Sequence, residues 1–194
     1  MSTSHARIIY LNGPSSAGKS SIARVLQARL PEPYLHIGID HLIALMPAHL
    51  NDWETGRGMP GFGFRAERDA GGVLRRELQI GPYGRKMVEA YVAVVAELAR
   101  LGHGLIVDDV AIRPGDTEDE WAPAFAGRRV LRVGVTASLE VLERREAARG
   151  DRPPGSARAQ KERIHYDARY DLVVDTAERD VEACAAEILA AALR

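Results

Sequence analysis

A single cysteine, Cys184, stands in a chain of 194 residues, so no disulfide can close within it and no cysteine-based zinc site can form. Long apolar runs are missing too. Before Asn12 the amino terminus MSTSHARIIYLNG holds only Ile8-Ile9-Tyr10-Leu11, too short for a signal-peptide core or a membrane span. Neither sign of charge is in excess: 26 Lys and Arg stand against 27 Asp and Glu, a formal net charge of −1. That balance gives no reason to expect nucleic acid or an anionic membrane as partner. The six histidines lack zinc-protease spacing, so His36, His41 and His49 read as surface or packing residues. With 46% hydrophobic and 27% charged residues, the composition is that of one soluble globular domain over 1–194, expected in the reducing cytoplasm. It says nothing of oligomeric state.

What is present is an alternation. Short β-rich runs at Arg7 to Asn12, Tyr34 to Ile39, Gly104 to Asp108, Val130 to Val135 and Asp171 to Asp175 are separated by helical patterns, which predicts an α/β fold with a parallel sheet and crossover helices. The helical period is clearest in RKMVEAYVAVVAELARLG, where Met87, Tyr91, Val94, Val95 and Leu98 recur at spacings of three and four and Gly102 closes the element. SLEVLERREAARG reads as another helix with Ser138 as its N-cap, and a last helix runs from about Asp180 to Leu193.

Directly after the first strand comes LNGPSSAGKSSIARVLQ. The glycines at 13 and 18, the lysine at 19 and the hydroxyl at 20 complete the pattern G-x-x-x-x-G-K-[ST], in the strand–loop–helix context that gives the pattern its meaning. The loop Gly13, Pro14, Ser15, Ser16, Ala17, Gly18 can curl its backbone N–H groups around an anion, the two glycines tolerating angles that a side chain would forbid. Lys19, Ser20 and Ser21 open a helix from Lys19 to Leu30, whose N-terminal dipole favours the same anion. The spacing therefore predicts a polyphosphate site, with Lys19 on its phosphates and Ser20 facing Mg2+.

Other constellations fit around it. GLIVDDV ends a buried strand in Asp108 and Asp109, either of which is placed to orient the hydrated magnesium. Asp40, at the end of YLHIGID, sits where a second strand meets its helix; it is a base for an attacking hydroxyl or the N-cap of a helix from His41 to Met46. Arg149 and Arg152, in the basic break ARGDRPPGSARAQ, are candidates to neutralise charge on a moving phosphoryl group, in a lid over 149–160. Arg158, Lys161 and Arg163 read as surface charges paired with Glu162 and Asp167. The glycine-rich interval 47–84 shows no sustained period and reads as an elaborated loop covering a site. GFGFRA at 61–66 satisfies G-x-G-x-x-A but follows no predicted strand, so it is not read as a dinucleotide fingerprint. GDTEDEW is read as a capping box formed by Thr117 and Glu120.

The segments LNGPSSAGKSSI, GIDHLIALMP, DAGGV, IGP, IVDDV, RVGV, REAARGDR and YDLVVDT, in this order and across nearly the whole chain, make the sequence resemble the chloramphenicol phosphotransferase family of P-loop kinases. The resemblance implies a P-loop NTPase fold of the adenylate-kinase-like kind, a three-layer sandwich with a five-stranded parallel sheet and helices on both faces. It implies transfer of the ATP γ-phosphoryl group to a primary hydroxyl of a small-molecule acceptor, chloramphenicol or a relative. It places Asp40 on the family's catalytic base and Gly13 to Ser21 on its ATP loop. The interval 47–84 is longer and more aromatic than the family's pattern, which leaves the acceptor open. A kinase of another hydroxylated metabolite and a non-catalytic ATP-binding regulator remain as alternatives.

Overall fold

Strand β1 (Ile8–Asn12) is buried along its whole length, and its side chains alternate between two cores as a pleated strand requires. Ile9 and Leu11 pack with Ile22, Leu26, Leu142, Val174 and Ile188, while Ile8 and Tyr10 pack with Leu42, Tyr91, Val95 and Trp121. A strand apolar on both faces belongs at the centre of a covered parallel sheet. The sheet has five strands in the order β2-β5-β1-β6-β7, and every pairing is parallel. Here β2 is Tyr34–Gly38, β5 Gly104–Asp109, β6 Val130–Thr136 and β7 Leu172–Asp175, each within a residue of the sequence expectation. The structure, a computed structural model, describes residues 7–68, 71–111, 114–149 and 154–194.

Helix α1 (Lys19–Arg29) and the C-terminal helix α7 (Val181–Ala192) cover one face; Asp180 caps α7, its carboxylate accepting from Ala183 N at 2.7 Å. Helices α3 (Pro82–Arg100) and α4 (Pro114–Phe125) cover the other. Helix α5 (Leu139–Arg149) begins after Ser138, whose hydroxyl accepts from Val141 N at 3.3 Å. Because the chain leaves β1 toward β2 and β5 on one side and later fills β6 and β7 on the other, the carboxyl end of β1 is a switch point, where open α/β sheets bind ligands.

Four expectations are corrected. The interval 47–84 is not simply loop: β3 (Phe62–Arg68) and β4 (Leu74–Ile80) form an antiparallel hairpin in which Phe62 faces Ile80 and Phe64 faces Leu78. GFGFRA is the start of that hairpin. The break after α5 gives way to α6 (Ser156–Ile164), so the 149–160 lid ends in helix from residue 156 on; Arg152 lies outside the described residues. The basic residues of α6 reach across the fold: Arg158 pairs with Glu143 at 2.7 Å, Arg163 with Glu77 at 3.3 Å, and Lys161 donates to Ala137 O at 2.6 Å. Helix α4 starts at Pro114, so Thr117 lies within it and is not its N-cap.

Candidate active site

The loop after β1 owes its shape to two different demands. Gly18 has φ +93°, and a Cβ on Gly13 would fall 2.2 Å from Val135 O. Gly18 is thus required by conformation, whereas Gly13 is required by the close approach of β6 and does not have the positive φ the sequence suggested. The other left-handed position in the loop is Ser16, at φ 65°. The loop is braced from behind: Thr176, just past β7, donates to Ala17 O at 2.9 Å and accepts from Arg145 Nη1 at 2.9 Å. Arg145 also reaches Thr176 O at 2.8 Å.

Lys19 is buried, its ammonium donating to Gly13 O at 2.8 Å and Pro14 O at 3.1 Å and lying 3.7 Å from Asp108 Oδ1. Ser20 Oγ donates to Asp108 Oδ2 at 2.6 Å, and His36 Nε2 is 3.4 Å from the same oxygen. Burial alone would raise the Asp108 carboxyl, but the Lys19 charge, with the hydrogen bonds of His36 and Ser20, outweighs it and holds the pKa at about 2. Asp108 is therefore an anion beside the hydroxyl that opens α1.

Asp109 points elsewhere. Its Oδ2 accepts from Tyr10 Oη at 2.6 Å and Trp121 Nε1 at 3.2 Å, and its Oδ1 from Val110 N at 2.8 Å. Burial pushes its pKa up, against the pull of the Tyr10 hydrogen bond. Of the two aspartates, the geometry puts Asp108 with Lys19 and Ser20 and leaves Asp109 with the aromatic core.

Two cavities meet at α2 (Ile39–Ile43). A polar cleft of about 670 Å³ runs along the phosphate loop and is lined by Ser15, Ser16, Gly18, Lys19, Ser20 and Ser21, with Arg24, His36, Asp108, Arg145 and Arg149 around it. An apolar pocket of about 250 Å³ lies under the hairpin, against Trp53, Phe62, Phe64, Leu78, Ile80 and Tyr91. Asp40 lines both. It does not cap α2: the N-cap is Gly38, whose N–H is taken by His41 Nδ1 at 2.9 Å, and Asp40 sits inside the first turn. A carboxylate placed between a cationic cleft and an apolar pocket can receive a proton from a hydroxyl held in the pocket and directed at a phosphate held in the cleft.

The donor set suits Mg2+ brought in on a nucleotide. One hydroxyl and one ionised carboxylate are hard oxygen ligands, and Mg2+ keeps most of its shell as water and phosphate. Among the described residues no group of three or more His, Cys, Asp or Glu side chains is poised as a cage, and no helix is long and apolar enough to cross a membrane. Sequence reading missed His36, Arg145, Thr176 and Gln160, the last of which accepts from Ser15 N at 2.7 Å. A signal existed for His36, two residues before the carboxyl edge of β2, where ligands collect; none existed for Gln160, which only the packing of α6 brings to the loop.

Comparison with known proteins places this geometry. The family described as chloramphenicol phosphotransferase-like protein matches residues 6–193. Two Mycobacterium tuberculosis proteins provisionally named O-phosphotransferases are each 36% identical over 189 residues, 94% of this chain and 80% of theirs. The fold is similar to a sugar kinase from Janibacter sp. (TM-score 0.62, 16% identity, 95% of this chain and 93% of that one). It is also similar to shikimate kinase from Acinetobacter baumannii in complex with shikimate (TM-score 0.55, 16% identity, 96% and 92%). These two likenesses establish the P-loop kinase fold.

Proposed function

The chain belongs to the chloramphenicol phosphotransferase-like family, and from that premise we propose that it is an ATP-dependent O-phosphotransferase, moving the γ-phosphoryl group to a hydroxyl of a small molecule. Chloramphenicol or a related antibiotic is the acceptor proposed first, with resistance as the corresponding role. The observation that carries the reading is Asp40 lining both the phosphate-loop cleft and the apolar pocket. A nucleotide-binding switch needs neither the pocket nor a carboxylate at its mouth.

In this reading the nucleotide lies in the polar cleft, with its phosphates on the loop's N–H groups and the N-terminus of α1. Lys19 neutralises charge on the β- and γ-phosphates, and Ser20 and Asp108 hold the Mg2+ that carries them, which supplies further charge neutralisation. Asp109 takes no part in holding the metal. Arg149, on the cleft wall, and Arg152 act on the migrating phosphoryl group. The acceptor enters the apolar pocket with its hydroxyl at Asp40. An aspartate is a weak base toward an alcohol, but phosphoryl transfer has a loose transition state, so Asp40 acts mainly by orienting the hydroxyl and taking its proton late.

The test is Asp40→Asn, with ATP binding measured by calorimetry and phosphorylated product by mass spectrometry over a panel of hydroxylated antibiotics. Since the N-cap of α2 is Gly38 and not Asp40, the variant should bind ATP as the parent does while kcat falls by roughly two to four orders of magnitude. Transfer above about a tenth of the parental rate would remove the base assignment.

A further inference from the structure

Helix α6 is bolted to three neighbours. Glu146 of α5, 2% exposed, accepts from Gly155 N at 2.7 Å, from Ala157 N at 2.9 Å and from the Ser156 hydroxyl, so a buried carboxylate closes the helix's N-terminus. Arg76 of β4 donates from its backbone to Gly155 O at 3.0 Å. Lys161 ties the helix to the end of β6 through Ala137 O. On the inner side of this fixed helix stands Gln160, 4% exposed.

Gln160 belongs to both halves of the site. Its Oε1 accepts from the backbone N–H of Ser15 in the phosphate loop at 2.7 Å, and its side chain also lines the apolar pocket. A backbone N–H can only donate, so this bond fixes the orientation of the amide: the oxygen is on the loop and the NH2 is left for the pocket. The Ser15 bond is the only hydrogen bond that the Gln160 side chain makes among the described residues. A primary amide at the wall of a mainly apolar pocket, with its donor side unclaimed among the described residues, is suited to a ligand oxygen, because a donor that loses water when a ligand enters needs a new acceptor.

We propose that Gln160 is a positioning residue that sets the acceptor in register with the phosphate loop, its Nε2 donating to an oxygen of the acceptor other than the one phosphorylated while its Oε1 holds Ser15. This rests on the phosphotransferase reading and deepens it: the acceptor is an alcohol that also carries a hydrogen-bond-accepting oxygen, such as a carbonyl, ether or second hydroxyl. One amide then spans acceptor and loop, and the distance between the attacking hydroxyl and the phosphate is held by a rigid helix.

The experiment follows the Gln160 side-chain amide of the intact protein by nitrogen-15 NMR, the signal being assigned by its loss in Gln160→Glu. Chloramphenicol, 2-phenoxyethanol and 3-phenylpropan-1-ol, which lacks a second oxygen, are titrated with the non-hydrolysable ATP analogue present; transfer from ATP is measured separately. Gln160→Glu keeps an oxygen for Ser15 but loses the donor, and Gln160→Met loses both.

The Gln160 amide should shift with chloramphenicol or 2-phenoxyethanol but not with 3-phenylpropan-1-ol. For an oxygen-bearing acceptor KM should rise about tenfold in both variants, with the preference over 3-phenylpropan-1-ol lost. Only Gln160→Met should also lose hydrogen-exchange protection at Ser15. Transfer with an unmoved amide, or unchanged acceptor preference in both variants, overturns the inference and leaves the phosphotransferase reading standing. Absence of transfer to every compound while the amide still shifts on binding defeats that reading and keeps Gln160 as a ligand-binding residue; absence of both overturns both.

Discussion

At Asp108 burial and charge oppose one another and charge wins, whereas at Asp109, one residue on, burial wins. The consequence is a pair of acid limbs of opposite sign. The folded pKa of Asp108 is about 2 against an ordinary 3.8, so its contribution to stability is fully present above pH 4 and is lost as pH falls toward 2, an effect of order 2 kcal/mol. Asp109 has a raised pKa, so its ionised form opposes folding at neutral pH and that opposition fades on acidification. Thermal unfolding of Asp108→Asn between pH 2 and 5 should show a shallower acid limb than the parent; superimposable limbs would remove the Lys19–Asp108 coupling. Asp109→Asn should be destabilising by about 1–3 kcal/mol, because whichever way the amide turns, its NH2 faces a group that can only donate, Trp121 Nε1 or Val110 N. The turn between β1 and α1 was legible because the motif sets its glycines, lysine and hydroxyl at fixed spacing. Which aspartate lies beside Lys19 and Ser20 was not, since adjacent strand residues point to opposite faces and only the register, Gly38 beside Asp108 and Asn12 beside Asp109, decides what each one meets. Gly13 was legible as a necessary glycine and misread in its reason, because close approach to Val135 is a tertiary fact.

At the scale of elements, β1, β5 and β6 were legible because strands buried in a covered sheet are nearly continuous apolar runs, and the partly exposed edge strands β2 and β7 still carry Leu35 and Ile37, and Leu172, Val173 and Val174. The hairpin was not. Its apolar alternation is confined to Phe62 and Phe64 on β3 and Leu78 and Ile80 on β4, while the outer halves carry the exposed Arg65 and Glu67 and the half-buried Arg75 and Arg76. Four apolar positions among glycines and charges do not make a period that a single sequence displays. Helix α6 was hidden for a related reason, since its stability comes from Glu146, fourteen residues before Gln160 and on another helix. Glu146→Gln should therefore destabilise by about 1–3 kcal/mol, as the new NH2 opposes the N–H groups of Gly155 and Ala157, and chemical denaturation with an unchanged midpoint would show that the cap is not used. Arg149, at the end of α5, has a kinetic test instead. Arg149→Ala should lower kcat more than it raises the KM for ATP if its charge acts chiefly in the transition state; an equal kcat would make it a surface residue.

For the molecule as a whole, the sheet order and the meeting of two cavities at Asp40 were beyond sequence reading, because both depend on pairings between residues far apart in the chain. The two cavities also divide the charge. Lys19, Arg24, Arg145 and Arg149 line the cleft, while the charged residues lining the pocket are Asp40 and Asp109. The near-zero net charge conceals this division. Phosphates are drawn to one side, and a second anion on the acceptor would meet two carboxylates at low dielectric on the other. Two like charges 4 Å apart repel by about 4 kcal/mol at an effective dielectric of 20, so even an acceptor acid held at twice that distance faces about 2 kcal/mol, more than a decade in kcat/KM. Methyl 4-(2-hydroxyethyl)benzoate and the corresponding free acid make a matched pair with the same alcohol and nearly the same bulk. The ester should be phosphorylated with a kcat/KM at least about tenfold above the acid, with the KM for ATP the same in both assays because the nucleotide side is untouched. Equal use of the two would mean that the acceptor does not lie in the pocket beneath the hairpin, and would move the search for it to the open end of the polar cleft.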